Sequence, residues 1–222
     1  VLGMILHFFR GFDLAVRSQV PALWDTEPFY AAEAPLRELS QSTVGIVGLG
    51  GVGSEVSRRC RSLGARTLGL RRTGGRGPEG VEVLRGAEGL RRLLAESDAV
   101  VVTTPETPET RGLIDADALA GMKDGAILVN VARGSVVDEE ALVAALDSGG
   151  LRGAGLDVFE TEPLPADSPL WRMPNVLITP HVSPVTRHFW RREADVILHN
   201  LGCFLEGRAE DMRNVVDRDA GY

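Results

Sequence analysis

Apolar residues in the middle of the chain alternate between short unbroken runs and longer segments with helical spacing. The runs are rich in β-branched residues and lack polar alternation, which is typical of strands covered on both faces. The segments between them repeat apolar residues every three or four positions, which predicts amphipathic helices. Strands are predicted at Val44–Val47, Arg66–Leu70, Ala99–Thr103, Ala126–Val131, Gly155–Val158 and Val176–Thr179. Helices are predicted at Ser54–Leu63, Ala87–Ala95, Asp115–Ala120, Asp138–Leu146 and Val185–Glu206.

Regular alternation of strands and helices predicts right-handed crossovers and a parallel sheet with helices on both faces. The expected fold class is therefore α/β, a doubly wound parallel sheet. Before this region, the apolar residues of Leu2–Ala15 have helical spacing, and Arg10 and Asp13 are predicted to lie on the solvent-exposed face. Prolines at positions 21, 28 and 35 forbid a long helix, so the stretch up to Ser42 is predicted to be a connecting arm.

Three aromatic residues lie on this arm, namely Trp24, Phe29 and Tyr30. Exposed aromatic side chains on an arm suit a contact with a second subunit. Packing against their own domain explains them equally well, and the sequence leaves both interpretations open.

Composition and charge narrow the function classes. The chain of 222 residues is 44% apolar and 25% charged, as in ordinary globular proteins. Its formal net charge of −7 argues against nucleic-acid binding. No apolar run approaches the length of a membrane span, and the apolar opening stretch lacks the flanks of a signal peptide. Cys60 and Cys203 resemble core residues on helices and fit a reducing cytoplasm, and no residue cluster has metal-ligand spacing.

The turn after the first predicted strand carries the most informative motif. Gly48, Gly50 and Gly53 form the pattern G-x-G-x-x-G between a strand and a helix. Gly48 permits the tight turn, Gly50 lets the backbone approach a pyrophosphate, and Gly53 lets the helix pack on the strand. The N–H groups at the helix N-terminus then face the phosphates. The motif in this context predicts a dinucleotide site.

The end of the second predicted strand indicates which dinucleotide is bound. An NAD site usually has a carboxylate there, which holds the ribose hydroxyls. This chain has Arg71 and Arg72 instead, and a guanidinium suits a 2′-phosphate. The sequence therefore favours NADP(H) over NAD(H), although an ordinary solvated pair of arginines is the simpler alternative.

Three further segments carry polar residues at strand ends, where open parallel sheets bind ligands. They are 130–134, 156–163 and 179–181. With the glycine turn and the loop 104–114, they occur in the same order as in the D-isomer-specific 2-hydroxyacid dehydrogenases, which the chain resembles over essentially its whole length. The resemblance includes the glyoxylate/hydroxypyruvate reductases of that family and implies a Rossmann-type coenzyme domain.

The resemblance implies a role for each matching residue. Arg133 would bind the carboxylate and the carbonyl oxygen of the substrate. His181 would give a proton to that oxygen, and Glu162 would orient the imidazole and keep it protonated. A developing alkoxide needs such a positive donor. Taken singly, each of the three is more often an ordinary structural or surface residue, as His7, His188 and His199 are expected to be.

The resemblance also implies the coenzyme contacts. They are Gly48, Gly50, Gly51, Val52, Gly53, Arg71, Arg72, Thr73, Thr104, Pro105, Thr110, Val131, Ala132, Asp157, His181 and Ser183. Asp157 would face the nicotinamide carboxamide. The family implies a homodimer formed through the coenzyme domains.

The match predicts three parts of the chain. Residues 1–38 would be a hinge helix and connecting arm, 39–182 the dinucleotide-binding domain, and 183–222 a C-terminal helix and tail that return to a substrate domain. Since the family places most of that domain before the hinge helix, the chain is expected to be truncated at its N-terminus. It is then expected to bind dinucleotide but to turn over slowly or not at all. Pro184 also departs from the small residues that usually follow the histidine.

Two functions remain in competition. The first is an NADP(H)-preferring oxidoreductase that acts on small 2-oxo or 2-hydroxy acids such as glyoxylate or hydroxypyruvate. The second is a dinucleotide-sensing, corepressor-like binding module without turnover. The presence of Arg133, Glu162 and His181 together favours the first, because a sensor needs no proton donor. A methyltransferase-like site is disfavoured because it would require a carboxylate near Arg71, and the sequence has none there.

Overall fold

The structure, a computed structural model, describes residues 1–31, 34–72 and 77–217. Its strands are β1 (Thr43–Val47), β2 (Arg66–Leu70), β3 (Glu82–Leu84), β4 (Ala99–Val102), β5 (Ala126–Asn130), β6 (Leu151–Leu156) and β7 (Val176–Ile178). Its α-helices are α1 (Leu2–Phe9), α2 (Phe12–Gln19), α3 (Glu27–Tyr30), α4 (Gly51–Ser62), α5 (Gly86–Glu96), α6 (Ala116–Ala120), α7 (Glu139–Asp147) and α8 (Phe189–Leu205).

The strands form a single sheet in the order β3-β2-β1-β4-β5-β6-β7. Every neighbouring pair is parallel. The chain moves outward from β1 in one direction through β2 and β3, and then crosses over to β4 and continues in the other direction. The predicted doubly wound fold is therefore confirmed.

Both faces of the sheet are covered, as the unbroken apolar strands predict. In β4, Ala99 and Val101 pack in one core with α1 and α4, whereas Val100 and Val102 pack in the other with α5, α6 and α7. Each fully buried valine or leucine side chain stabilises the fold by roughly 1.5–3 kcal/mol. Burial of this kind leaves the strand ends as the place where polar residues emerge.

The first predicted helix divides into two. Gly11 adopts a left-handed conformation with φ +66°, so α1 ends before it and α2 begins after it, although the apolar spacing continues across the break. Asp13 was predicted to lie on the solvent-exposed face, and this prediction is wrong. It is only 4% exposed and pairs with the Arg152 guanidinium at 2.7 Å, which supplies the opposite charge that a buried carboxylate requires.

Other element boundaries also differ from the prediction. The edge strand β3 was not predicted, because three partly exposed residues carry too little pattern to be recognised. Strand β6 begins at Leu151 rather than Gly155, and helix α8 begins at Phe189 rather than Val185. Most of the loop predicted at 73–78 lies outside the described residues.

The chain divides into two compact units, Val1–His181 and Val182–Tyr222. In the second unit, the Asn200 side chain makes two hydrogen bonds of 2.8 Å to the backbone of Arg213, which fixes the tail on α8. Cys203 is buried on this helix and Cys60 on α4, as predicted. The functional boundaries at 38/39 and 182/183 stay predictions. Among the described helices, none is both long and apolar enough to cross a membrane.

Candidate active site

The carboxyl ends of the strands form one row across the sheet. In the parallel register, the paired residues of this row are Leu84, Leu70, Val47, Val102, Asn130, Leu156 and Ile178. Six positions that the sequence singles out follow the row within two residues, namely Gly48, Arg71, Thr104, Val131, Asp157 and Thr179. They are therefore neighbours along the edge where open α/β sheets bind ligands.

The glycine turn joins β1 to α4 near the middle of this edge. Gly48 has φ +106°, which side chains rarely adopt. A Cβ on Gly53 would overlap the Gly48 carbonyl oxygen, so only glycine allows the helix to approach the strand so closely. Gly50, Gly51 and Val52 are exposed, and a Cβ on either glycine would meet nothing within 4 Å. The turn leaves open space before the N-terminus of α4, which suits the phosphates of a dinucleotide.

The segment after β4 lies beside this turn. Thr103 Oγ1 donates a hydrogen bond of 2.7 Å to the Gly48 carbonyl oxygen and ties the two turns together. Thr104 Oγ1 is buried and finds no hydrogen-bond partner among the described residues. Because an unsatisfied buried hydroxyl is costly, it fits a site that a bound ligand would complete.

The rest of the 104–114 loop is held by its own hydrogen bonds. Thr110 Oγ1 accepts a bond of 2.8 Å from the Thr107 N–H and donates one of 2.7 Å to the Pro105 carbonyl oxygen. Thr110 and Pro105 are both predicted coenzyme contacts. The structure shows that the Thr110 hydroxyl shapes the loop, and that Pro105 is exposed on it.

Two arginines follow β2, as the sequence shows. Arg71 is half-buried, and its backbone N–H donates a hydrogen bond of 3.1 Å to the Leu84 carbonyl oxygen. Arg72 is exposed. The pKa of Glu109 is lowered by hydrogen bonds from the Thr107 side chain and from the backbone N–H of Glu109. The charge of Arg72 adds to this effect. The positive charge of Arg72, after β2, therefore acts on Glu109 in the loop after β4. Thr73, another predicted contact, lies outside the described residues.

The turn after β5 is organised by the buried Asn130. Its Oδ1 accepts a hydrogen bond of 3.0 Å from the Ala132 N–H, and its Nδ2 donates one of 3.0 Å to the Arg133 carbonyl oxygen. Val131 is half-buried and Ala132 is buried, whereas Arg133 is exposed. The Arg133 guanidinium donates to the Ala132 carbonyl oxygen at 2.7 Å. Asn130 therefore fixes the backbone from which Arg133 projects.

Gly134 brings this turn against the loop after β6. A Cβ at Gly134 would overlap the backbone of Phe159 and Glu160, so a residue with a side chain cannot occupy the position without moving that loop. The close approach sets the distance between Arg133 and the segment that carries Glu162.

Asp157 and His181 are joined through the ends of β6 and β7. The Asp157 side chain is fully buried and accepts a short hydrogen bond from the Thr179 hydroxyl. The His181 N–H donates to the Asp157 carbonyl oxygen at 2.8 Å. His181 has φ +52°, an uncommon conformation for a residue other than glycine, and such conformations cluster at functional sites.

Glu162 and His181 form the closest pair of predicted catalytic residues. Glu162 Oε2 lies 2.7 Å from His181 Nδ1, and Oε1 accepts a hydrogen bond of 3.0 Å from the Phe159 N–H. Burial acts to raise the pKa of Glu162, but these hydrogen bonds and the charges of His181 and Arg133 prevail and lower it from 4.5. The carboxylate therefore stays ionised at neutral pH and holds Nδ1, which leaves Nε2 as the ring nitrogen that Glu162 does not contact.

The structure brings some of the predicted residues together. Glu162 and His181 are in direct contact, and Arg133 acts on Glu162 through its charge. Ser183 belongs to the second unit. Residues that shape the site but were not predicted for it are Thr103, Asn130, Gly134, Thr179 and Glu139, whose Oε2 accepts a hydrogen bond of 3.2 Å from the Glu160 N–H. Most of their contacts join distant parts of the chain, which a sequence does not show. For Asn130, Gly134 and Thr179, the polar segments at strand ends were the only indication in the sequence.

Among the described residues, no group of three or more His, Cys, Asp or Glu side chains could hold a metal ion. The arrangement instead offers open space at a helix N-terminus, an exposed guanidinium and an imidazole–carboxylate pair. These groups can bind an anionic dinucleotide, bind a carboxylate and deliver a proton.

Comparison with known proteins identifies relatives of this site. Residues 2–183 match the family model described as D-isomer specific 2-hydroxyacid dehydrogenase, NAD binding domain. The chain is 39% identical over 220 residues to a glyoxylate/hydroxypyruvate reductase A of Salmonella typhi, with 99% of this chain and 67% of that protein aligned.

Two solved structures are similar over the whole chain. A D-isomer specific 2-hydroxyacid dehydrogenase from Xanthobacter autotrophicus, in complex with NADPH and MES, has 41% identity, a TM-score of 0.87 and 87% of its chain covered. An NADPH-dependent glyoxylate/hydroxypyruvate reductase from Sinorhizobium meliloti, in complex with NADP and sulfate, has 32% identity, a TM-score of 0.88 and 68% of its chain covered. Both align with 100% of this chain.

Proposed function

The chain belongs to the family of D-isomer specific 2-hydroxyacid dehydrogenases, and we propose that it reduces small 2-oxo acids with a nicotinamide coenzyme, NADPH in preference to NADH. The observation that carries this proposal is the contact of 2.7 Å between Glu162 Oε2 and His181 Nδ1. It lies at the edge of the sheet that also holds the glycine turn. A proton donor at a dinucleotide site suits carbonyl reduction.

The coenzyme would be held by the residues that follow β1, β2 and β4. The open space beside Gly50 and Gly51 suits the pyrophosphate, and Arg71 and Arg72 suit a 2′-phosphate. The buried Thr104 hydroxyl is a polar atom that a bound coenzyme could satisfy. When bound, the nicotinamide supplies the hydride. The relatives from X. autotrophicus and S. meliloti were crystallised with NADPH and NADP, which supports the same choice here.

The remaining chemistry belongs to three side chains. Arg133 binds the carboxylate of the 2-oxo acid through its planar fork of N–H donors. As the carbonyl carbon gains hydride, its oxygen takes the proton from His181 Nε2, which gives the 2-hydroxy acid and a neutral imidazole. Glu162 orients the ring through Nδ1 and stabilises its charged form. Glyoxylate and hydroxypyruvate are the substrates proposed, following the reductase of S. typhi.

We also propose a homodimer formed through the coenzyme domain. Trp24 and Tyr30 on the arm are 92% and 86% exposed, which suits a surface that a second copy covers. A cytoplasmic location is proposed on the two cysteines, both free and buried in the structure.

Oxidation of NADPH by protein in excess over coenzyme, with glyoxylate or hydroxypyruvate added, tests the enzymatic function. The unchanged chain should oxidise NADPH, and a His181→Asn variant should be slower by roughly 10²–10⁴-fold. His188→Asn is the matched control, because this histidine lies in the second unit and has no proposed part in the reaction. Equal rates for His181→Asn and the unchanged chain would remove His181 from the role. Tight NADPH binding without oxidation would support a sensing module instead.

A further inference from the structure

We infer that Glu139 is a positioning residue that holds the loop carrying Glu162 in place, a role that rests on the proposed function for its catalytic meaning. Glu139 is the first residue of α7, and its Oε2 accepts a hydrogen bond of 3.2 Å from the Glu160 N–H. The contact joins parts of the chain that are 21 positions apart. It acts on the loop two residues before the carboxylate that contacts His181.

The loop is fixed at several points on either side of this bond. The backbone of Phe159 and Glu160 packs against Gly134, and the Glu160 carboxylate lies 3.4 Å from the Arg111 guanidinium. Glu162 then turns back so that its Oε1 accepts the Phe159 N–H at 3.0 Å. The orientation of the Glu162 carboxylate toward His181 therefore depends on where the backbone of Phe159 and Glu160 is held.

Glu139 is not needed to begin its helix. Asp138 already caps α7, since its Oδ1 accepts a hydrogen bond of 3.0 Å from the Ala141 N–H. Acidic residues in the first turn also interact favourably with the helix dipole, and Glu140 shares this position but is exposed. Replacing Glu139 thus removes the bond to the loop while the cap and a dipole partner remain. A matched control is available in Glu140.

The sign of the change at Glu162 separates positioning from charge. The charged groups that act on the Glu162 carboxylate are His181 and Arg133, and with the hydrogen bonds of the loop they lower its pKa. If Glu139→Ala releases the loop, these contacts weaken and the pKa of Glu162 rises. If Glu139 acted only as a nearby negative charge, its removal would lower the pKa of Glu162 further.

The experiment is a pH titration of the side-chain carboxyl carbons by NMR, on the whole chain labelled at glutamate. The Glu162 signal is assigned by its absence in Glu162→Gln. Glu139→Ala should raise the pKa of Glu162, Glu139→Gln should restore it because the amide oxygen still accepts the Glu160 N–H, and Glu140→Ala should leave it unchanged. Circular dichroism checks that each variant is folded. An unchanged or lowered pKa of Glu162 in Glu139→Ala would overturn the inference.

Kinetics supply a second readout. Glu139→Ala should reduce kcat roughly tenfold or more through misplacement of the acid pair, with NADPH affinity unchanged, and Glu139→Gln should recover most of the loss. A loss of NADPH affinity equal to the loss of kcat would mean general disruption and overturn the inference. Absence of NADPH oxidation by the unchanged chain would overturn the proposed function alone, and the carboxyl titration would still decide the role of Glu139.

Discussion

The Glu162 carboxylate shows how one residue combines structure and chemistry. One of its oxygens holds the loop through Phe159 N–H, and the other holds the His181 ring. The sequence predicted the pairing with His181 through the resemblance. It did not predict the bond to Phe159, since a contact over three residues depends on a turn that local propensity does not specify.

We predict that the Glu162–His181 pair stabilises the fold slightly and only above acid pH. Since the folded pKa of Glu162 is lowered from 4.5, this contribution is present above pH 4.5 and is lost as the pH falls through the lowered value. Glu162→Gln should cost at most about 1 kcal/mol at neutral pH, because more than a third of each side chain is exposed. Urea unfolding at neutral pH and well below pH 4.5 measures it, with Glu140→Gln as control. A cost for Glu162→Gln that persists or grows in acid would contradict the prediction.

The proposed preference for NADPH is also assigned to single residues. Replacing Arg71 and Arg72 by serine should weaken NADPH binding roughly 10–100-fold, because hydrogen bonds to charged groups contribute about 1.5–3 kcal/mol. NADH binding should change little, since that coenzyme lacks the 2′-phosphate. Fluorescence titration with both coenzymes measures the affinities, and Arg91→Ser, an exposed change on α5, serves as control. Equal losses for NADPH and NADH would show that these arginines do not read the phosphate.

At the scale of elements, the apolar runs predicted the central strands well, because burial on both faces leaves a strong signal. The edge strand β3 lacks that signal. The break between α1 and α2 depends on the left-handed Gly11, which the continuing apolar spacing conceals. The packing of one turn against another, as at Gly134, depends on distant residues and was not predictable from either segment.

We predict that Gly134→Ala destabilises the protein by about 1–3 kcal/mol, because a Cβ there overlaps the backbone of Phe159 and Glu160. The displaced loop should also slow NADPH oxidation while NADPH binding is retained. Gly150→Ala is the matched control, since its Cβ meets its nearest atom at an ordinary 3.6 Å. Urea unfolding measures both variants. A cost for Gly134→Ala no greater than that for Gly150→Ala would show that the loop adapts freely.

At the scale of the whole molecule, the order of strands and helices was enough to predict a doubly wound sheet. The parallel register then places six candidate positions, from Gly48 to Thr179, along one edge. The carboxyl ends share one edge because all neighbouring strands are parallel, and the alternation of strands and helices along the sequence predicts parallel strands. Helix α8 exposes apolar residues such as Trp190 at 80% and Phe204 at 69%. The chain spans 67% of the aligned S. typhi reductase.

Transfer of deuterium from coenzyme to product examines the proposed reaction as a whole. NADPH labelled with deuterium at both positions of its reactive nicotinamide carbon is incubated with excess protein and glyoxylate, and the product is analysed by mass spectrometry. The proposed function predicts glycolate that carries one deuterium on the carbon bearing the new hydroxyl, with far less formed by His181→Asn. Glycolate without deuterium, or no glycolate from the unchanged chain, would contradict the assignment of a hydride-transferring reductase.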